Sequence, residues 1–201
     1  MHISEKLIDE SVIPFQNPKA CVQNSDFDSK RWIYIPSFYS SCRYILGTVG
    51  NRSLITIGIN PSTASPNNLD NTLKSVERIA FGNDFDSYIM FNVYAQRATD
   101  PSDMHKELDS RLHIENMKAF RYLLEQSEER AMIWAAWGTL IEKRSYLKDC
   151  LLEMVKLANE YDARWCRTGN LSKKGHPHHP LYLKKDSKLV PFDIDDYLRK
   201  L

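Results

Sequence analysis

Apolar residues along this chain recur with two different periods. Short runs rich in Leu, Ile, Val, Met and aromatics predict buried strands at about residues 54–58, 88–93, 132–137 and 164–167. Between them, apolar positions recur every three or four residues. Leu73, Val76, Ile79 and Ala80 outline one helix, with Asp70 or Asn71 as its cap and Gly82-Asn83 closing it. Leu112, Asn116, Ala119, Phe120, Leu123 and Leu124 outline a second. A third is expected over residues 140–161, apolar at Leu147, Leu151, Leu152, Val155 and Ala158. Extended segments at 31–36 and 43–48, with turn chemistry at Gly50-Asn51, suit a hairpin at the sheet edge. A last short helix begins near Pro191 or Asp193, and a short helix is expected over residues 4–12. The rest of residues 1–30 reads as an arm lying on a single domain that spans 31–201.

The order βαβαβαβ predicts parallel pairing, right-handed crossovers and helices on both faces. The expected fold is α/β: a three-layer α/β/α domain with a four-stranded parallel sheet. In such a sheet the loops at Asn60, Arg97, Gly138 and His176 share the carboxyl edge, where open α/β folds bind ligands. A length of 201 residues and 42% hydrophobic content are enough for one well-filled core. A net charge of +1 neither demands nor excludes nucleic acid. Cys21, Cys42, Cys150 and Cys166 form no Cys-x-x-Cys pair and read as reduced thiols. No run approaches the ~18 apolar residues of a membrane span, and the polar first residues are unlike a signal peptide. These features predict a soluble cytoplasmic protein with no membrane partner.

The strand at 54–57 ends in Gly58, Asn60-Pro61 and Ser62-Thr63. Gly58 permits close backbone approach and Pro61 stops the ladder. The expected cleft gathers Asn60, Ser62, Thr63, Asp70, Thr72, Asn92, Arg97, His176, His178 and His179. It lacks the glycine patterns of dinucleotide sites and P-loops, and the serine motifs of acyl transfer. The prolines around His176-Pro177-His178-His179 stiffen that loop, which suits aiming an imidazole; a solvated surface loop is the alternative. A metal site there would need further ligands. Arg97 suits a phosphate or carboxylate, or a structural ion pair. Asn92, in a buried strand, needs amide partners and could simply tie strand ends. At least one of Trp134 and Trp137 suits the core, and Lys173-Lys174 a solvated face or a phosphate backbone.

The segments Ile57-Gly58-Ile59-Asn60-Pro61-Ser62-Thr63-Ala64, Asp70-x-Thr72, Phe91-Asn92-Val93-Tyr94-Ala95-x-Arg97-x-Thr99-Asp100, Trp137-Gly138 and Gly175-His176-Pro177-x-His179-Pro180-Leu181-Tyr182 occur in order. Together they resemble the bacterial domain-of-unknown-function 1643 family over about residues 43–192. That resemblance implies no reaction. More distantly, Gly58-Ile59-Asn60-Pro61 is similar to the first motif of the mismatch-specific uracil and thymine DNA glycosylases. His176-Pro177 or His179-Pro180 is similar to the His-Pro of a second motif in uracil-DNA glycosylases.

That likeness implies a uracil-DNA-glycosylase-like fold, with Asn60 holding a water against the sugar C1′ and His176 or His179 facing the base or phosphates. Gly58, Ile59, Pro61, Ser62, Asp70, Thr72, Asn92, Arg97 and Tyr182 would surround the substrate. The chain departs from the motifs in three places. Ser62 stands where glycine is usual, no Asp lies beside Pro61, and Leu181 is only a candidate wedge. The expected function is hydrolysis of an N-glycosidic bond in a modified or damaged nucleobase, with nucleobase, nucleotide or nucleic acid as partner and no cofactor. The alternatives are a non-catalytic nucleobase- or nucleotide-binding module and a metal hydrolase built on His176, His178 and His179.

Overall fold

The computed structural model describes residues 12–18, 26–127 and 129–201. The described residues form seven strands and four α-helices. They are β1 Trp32–Ile35, β2 Ile45–Thr48, β3 Ser53–Gly58, α1 Asn71–Phe81, β4 Ser87–Asn92, α2 Ser110–Glu125, β5 Met132–Ala135, α3 Tyr146–Glu160, β6 Arg164–Thr168, β7 Leu189–Pro191 and α4 Ile194–Lys200. All seven strands join one sheet in the order β1-β2-β4-β3-β5-β6-β7.

The four strands β4-β3-β5-β6 pair in parallel, with Gly58 opposite Asn92 and Ile57 opposite Ala135. The sheet does not stop there. β1 and β2 add an antiparallel hairpin on β4, and β7 pairs antiparallel with β6. The sheet is therefore seven-stranded and mixed, which corrects the expectation of a four-stranded parallel, uracil-DNA-glycosylase-like sheet. The β7 strand escapes a pattern search because it has three residues and ends in Pro191. At an edge, a missing backbone donor costs no ladder bond.

Side chains alternate between two apolar layers, as the two-residue period of a strand requires. Leu54, Tyr88 and Met90 pack with α1 through Leu73, Val76 and Ile79. Ile55, Ile57, Ile89 and Phe91 pack with α2, α3 and α4 through residues such as Phe120, Leu151 and Tyr197. Each such buried aliphatic side chain stabilises the fold by about 1.5–3 kcal/mol. Asp70 caps α1 by accepting from Leu73 N at 2.8 Å, and Asp109 caps α2.

The long helix expected over 140–161 is broken. A 3₁₀ turn covers Gly138–Glu142 and α3 starts only at Tyr146. At the break, Arg144 donates to the carbonyls of Ser102, Met104 and His105. Those bonds tie the connection to the loop after β4. The expected helix over residues 4–12 falls almost wholly outside the described residues. The described part of the arm lies on α2: Phe15 N donates to Glu115 at 2.7 Å, and its ring stands edge-on to Tyr44. Cys42, Cys150 and Cys166 are buried free thiols, and Cys21 lies outside the described residues. No helix among the described residues is long and apolar enough to cross a membrane.

Candidate functional site

The strand order reverses at β3, whose connection through α1 leads to β4 on one side while β5 lies on the other. In open α/β sheets a ligand crevice at such a reversal is bounded by the loops leaving the two flanking strands, here β3 and β5. Backbone bonds fix the loop leaving β3 to the chain leaving β4. Val93, Tyr94 and Ala98 donate to the carbonyls of Gly58, Ile59 and Pro61, each at 2.9 Å. Asn60 is half-buried on this loop. Its Nδ2 donates to Ala98 O at 2.7 Å and Pro61 O at 3.0 Å. That fixes the amide plane and leaves Oδ1 as an acceptor with no hydrogen bond among the described residues.

Gly58 and Asn92 are coupled. A Cβ on Gly58 would meet Asn92 Oδ1 at 3.0 Å and Met90 Cε at 2.6 Å. Asn92 is 1% exposed, and with its amide turned to donate it reaches the carbonyls of Phe91 and Asn60 at 3.3 Å. Asn92 therefore supports the Asn60 turn from below. Ile59 and Pro61 are buried beside it, and Ser62 is half-buried.

Arg97 crosses from the β4 exit to the same loop. Its Nη1 donates to Ser62 O and, at 3.3 Å, to Ala64 O; its Nη2 donates to the Tyr34 hydroxyl at 2.8 Å. The exposed Tyr39 ring lies 4.2 Å from its guanidinium carbon, a cation–π contact. Arg43, 1% exposed, donates its Nη1 to the same Ala64 carbonyl at 3.1 Å. The Nε of both arginines is buried without a partner. Burial first, and Arg97 alongside second, push Arg43 down to about 9, which leaves it cationic at neutral pH; Asp70 opposes the shift.

His179 enters from the far side of the crevice. Gly138, at φ +62°, faces it: a Cβ there would lie 3.3 Å from His179 Cβ. Ser75 of α1 donates to Pro180 O at 2.8 Å and anchors the loop. His179 Nδ1 accepts from Leu181 N at 3.3 Å, so the neutral ring carries its proton on Nε2. Burial lowers its pKa from 6.5, with the Asp70 charge opposing. The same Asp70 thus acts on both Arg43 and His179. Thr72 is half-buried in the first turn of α1, and Tyr182 is 80% exposed with its ring 6.1 Å from that of His179.

His176 has other business. It is 4% exposed, with Nδ1 2.9 Å from the Tyr197 hydroxyl and Nε2 3.1 Å from Glu142 Oε1. Trp137 Nε1 donates to the same Tyr197 oxygen at 3.0 Å. Lys174 and then His176 hold Glu142 down at about 2, so it is an ionised acceptor. The chain of donors runs from Trp137 to Tyr197 to His176 Nδ1, and from His176 Nε2 to Glu142. Both ring nitrogens are occupied, and the residue ties α4 to the β5 exit.

The structure thus brings Asn60, Ser62, Asp70, Arg97 and His179 to one edge with Gly58 and Asn92 beneath. His176 faces a different set of partners. Sequence reading missed Arg43, Tyr34, Tyr39 and Tyr197; the one signal for Arg43 is a charged residue opening a predicted strand. No group of three His, Cys, Asp or Glu side chains able to hold a metal gathers among the described residues. A cavity of about 680 Å³ opens at the opposite, amino end of the sheet, among Ser53, Ile89, Tyr122, Arg130, Met132 and Arg164. Of its arginines, Arg130 pairs with Asp162 at 2.6 Å and Arg52 donates to Asp84 O.

The profile of the family described as "Protein of unknown function (DUF1643)" matches residues 43–181, from the buried Arg43 to the loop that carries His179. The chain belongs to this family. The matched span holds all the edge residues just described except Tyr34, Tyr39 and Tyr182. No curated protein and no solved structure matches the chain. The glycosylase resemblance therefore gains no support from these comparisons, and the mixed sheet removes the fold it implied.

Proposed function

We propose that the carboxyl edge binds a nucleobase-bearing ligand, free or within a nucleic acid, and hydrolyses its N-glycosidic bond. The observation that carries this reading is Asn60. Its amide nitrogen is pinned by two carbonyls, so its free Oδ1 is presented in a fixed direction. A fixed acceptor of this kind orients a water for attack without reorganisation. His179 supports the second half of the reaction. A neutral imidazole with its proton on Nε2 is a donor for the negative charge that gathers on a departing base. His176, with no nitrogen to spare, is left out of the mechanism.

A second reading is binding without turnover. Asp70 is already committed to the α1 cap, so it is poorly placed to activate the water.

Oligonucleotides carrying uracil, hypoxanthine, hydroxymethyluracil or mismatched thymine test the first reading by abasic-site cleavage; the corresponding free nucleosides test it by base release. Cleavage is expected, and Asn60→Ala should slow it by about 10²–10³-fold, the scale of losing one preorganised polar group. The same variant loses two turn bonds, a cost near 1 kcal/mol, so rates are compared per folded molecule. Turnover that survives in folded Asn60→Ala removes the water-holding role. Binding of a base with no cleavage selects the second reading.

A further inference from the structure

The two arginines at this edge are not explained by loop fastening. A carbonyl needs only a neutral donor, and an Asn or Gln would serve Ala64 or Ser62 at a lower desolvation cost. Instead two guanidiniums converge on one carbonyl oxygen. No carboxylate lies within ion-pair distance of either among the described residues, and each keeps a buried Nε without a partner. Like charges in a low-dielectric setting repel strongly; Asp70 is the acidic group that acts on Arg43 and offsets the shift only in part, so the pair keeps positive charge to spare.

We propose that Arg97, backed by the buried Arg43, is the binding subsite for the phosphate of a phosphomonoester. Arg97 makes the direct contact because it is half-buried while Arg43 is enclosed. Arg43 contributes charge from behind. A dianionic phosphate matches two cations; a carboxylate matches one. Tyr34 accepts from Arg97 Nη2 and keeps its own hydroxyl proton to donate, and the Ser62 hydroxyl lies on the loop that Arg97 holds. The exposed Tyr39 ring covers the guanidinium face and is the side chain a ligand would displace or stack upon. The subsite adds to the base-binding reading at the same edge and stands apart from it, since a phosphate could be held with or without a base.

The test uses the full chain and three probes: inorganic phosphate, a nucleoside (adenosine or uridine), and the matching 5′-monophosphate. At matched ionic strength, phosphate at a hundredfold its Kd should raise Tm by about 5–10 °C, and acetate should not. Calorimetric titration should show Arg97→Gln weakening phosphate at least tenfold. Because that variant also unfastens the Ser62 loop, Arg97→Lys is the second variant. It keeps the charge, loses the fork, and should bind phosphate with intermediate affinity. A nucleotide that binds at least tenfold tighter than its nucleoside supports the subsite. Phosphate binding with neither nucleoside nor nucleotide favoured over it also supports the subsite, and removes the base reading. No phosphate response beyond acetate, or equal responses in the parent and Arg97→Gln, overturns the subsite. If the nucleoside still binds in that case, the base reading stands.

Discussion

His176 and His179 lie three residues apart in one proline-stiffened loop, yet their surroundings have little in common. His176 is enclosed with both nitrogens taken, in a relay that joins Trp137, Tyr197 and Glu142. His179 has one nitrogen taken by a local turn bond and senses Asp70, the same carboxylate that acts on Arg43; Arg43 and its neighbour Arg97 each keep a buried Nε without a hydrogen bond. Residue type and spacing are the same for both; the partner accounting differs. Where every donor meets an acceptor, the group stabilises the fold. Where donors are left over next to a crevice, the free energy of pairing them remains for a ligand. At the roomy amino-end cavity, by contrast, Arg130 already has a carboxylate partner in Asp162.

The largest effect is expected on the satisfied side. Tyr197→Phe removes one oxygen that serves two buried groups, Trp137 Nε1 and His176 Nδ1. Leaving both unpaired should cost about 3 kcal/mol, read from the urea midpoint at constant m. The same variant should leave phosphate or nucleoside affinity unchanged, because the hydroxyl it removes serves Trp137 and His176 and no residue of the Arg97 edge. A loss below about 1 kcal/mol would show that the relay is not holding α4.

A smaller effect is expected at Asp70, which faces the unsatisfied side. Asp70→Ala removes the α1 cap and should cost about 1 kcal/mol. It also removes the negative charge that opposes the downward shift of His179, so that pKa should fall further in an NMR titration. The sign of the pH effect follows. A histidine whose folded pKa lies below 6.5 contributes its stability fully above that pH and loses it as pH falls toward the folded value. Asp70→Ala widens this window, so the acid-side loss should steepen. An unchanged His179 pKa would mean that the two groups do not sense each other.

Local signals made much of the frame legible. The apolar run of β3, the Asp70 cap and the Gly58-x-Asn60-Pro61 turn all act within a few residues, and sequence shows such interactions directly. Features decided at long range were hidden. The β7 strand is three residues that pair only because β6 offers an edge. The helix expected from Leu140 is interrupted at Arg144, whose partners lie some forty positions away. His176 reads as a candidate site residue until Tyr197, twenty-one residues on, is seen to occupy it. Arg43 was invisible for a related reason. An arginine is ordinarily solvated, and nothing near it in sequence says that the hairpin will enclose it against Ala64 and Arg97.

The smallest effect on stability is expected at Arg43, and it is the sharpest divider between the two sides. Met replaces the apolar stem of the side chain while removing the guanidinium and its charge. If the guanidinium were a structural anchor, Arg43→Met would cost as much as breaking a buried polar network, about 3–5 kcal/mol. If it is a cation held in reserve, the variant sheds the repulsion from Arg97 and the desolvation of a charge that Asp70 offsets only in part. One hydrogen bond to Ala64 O is lost, but that carbonyl keeps Arg97 as a donor. The two terms oppose, so thermal or urea unfolding without added anion should shift by less than about 1 kcal/mol in either direction. Added phosphate separates the cases further, because the parent should gain stability from it and Arg43→Met should gain much less. A variant that loses several kcal/mol in plain buffer would move Arg43 to the satisfied side, beside His176.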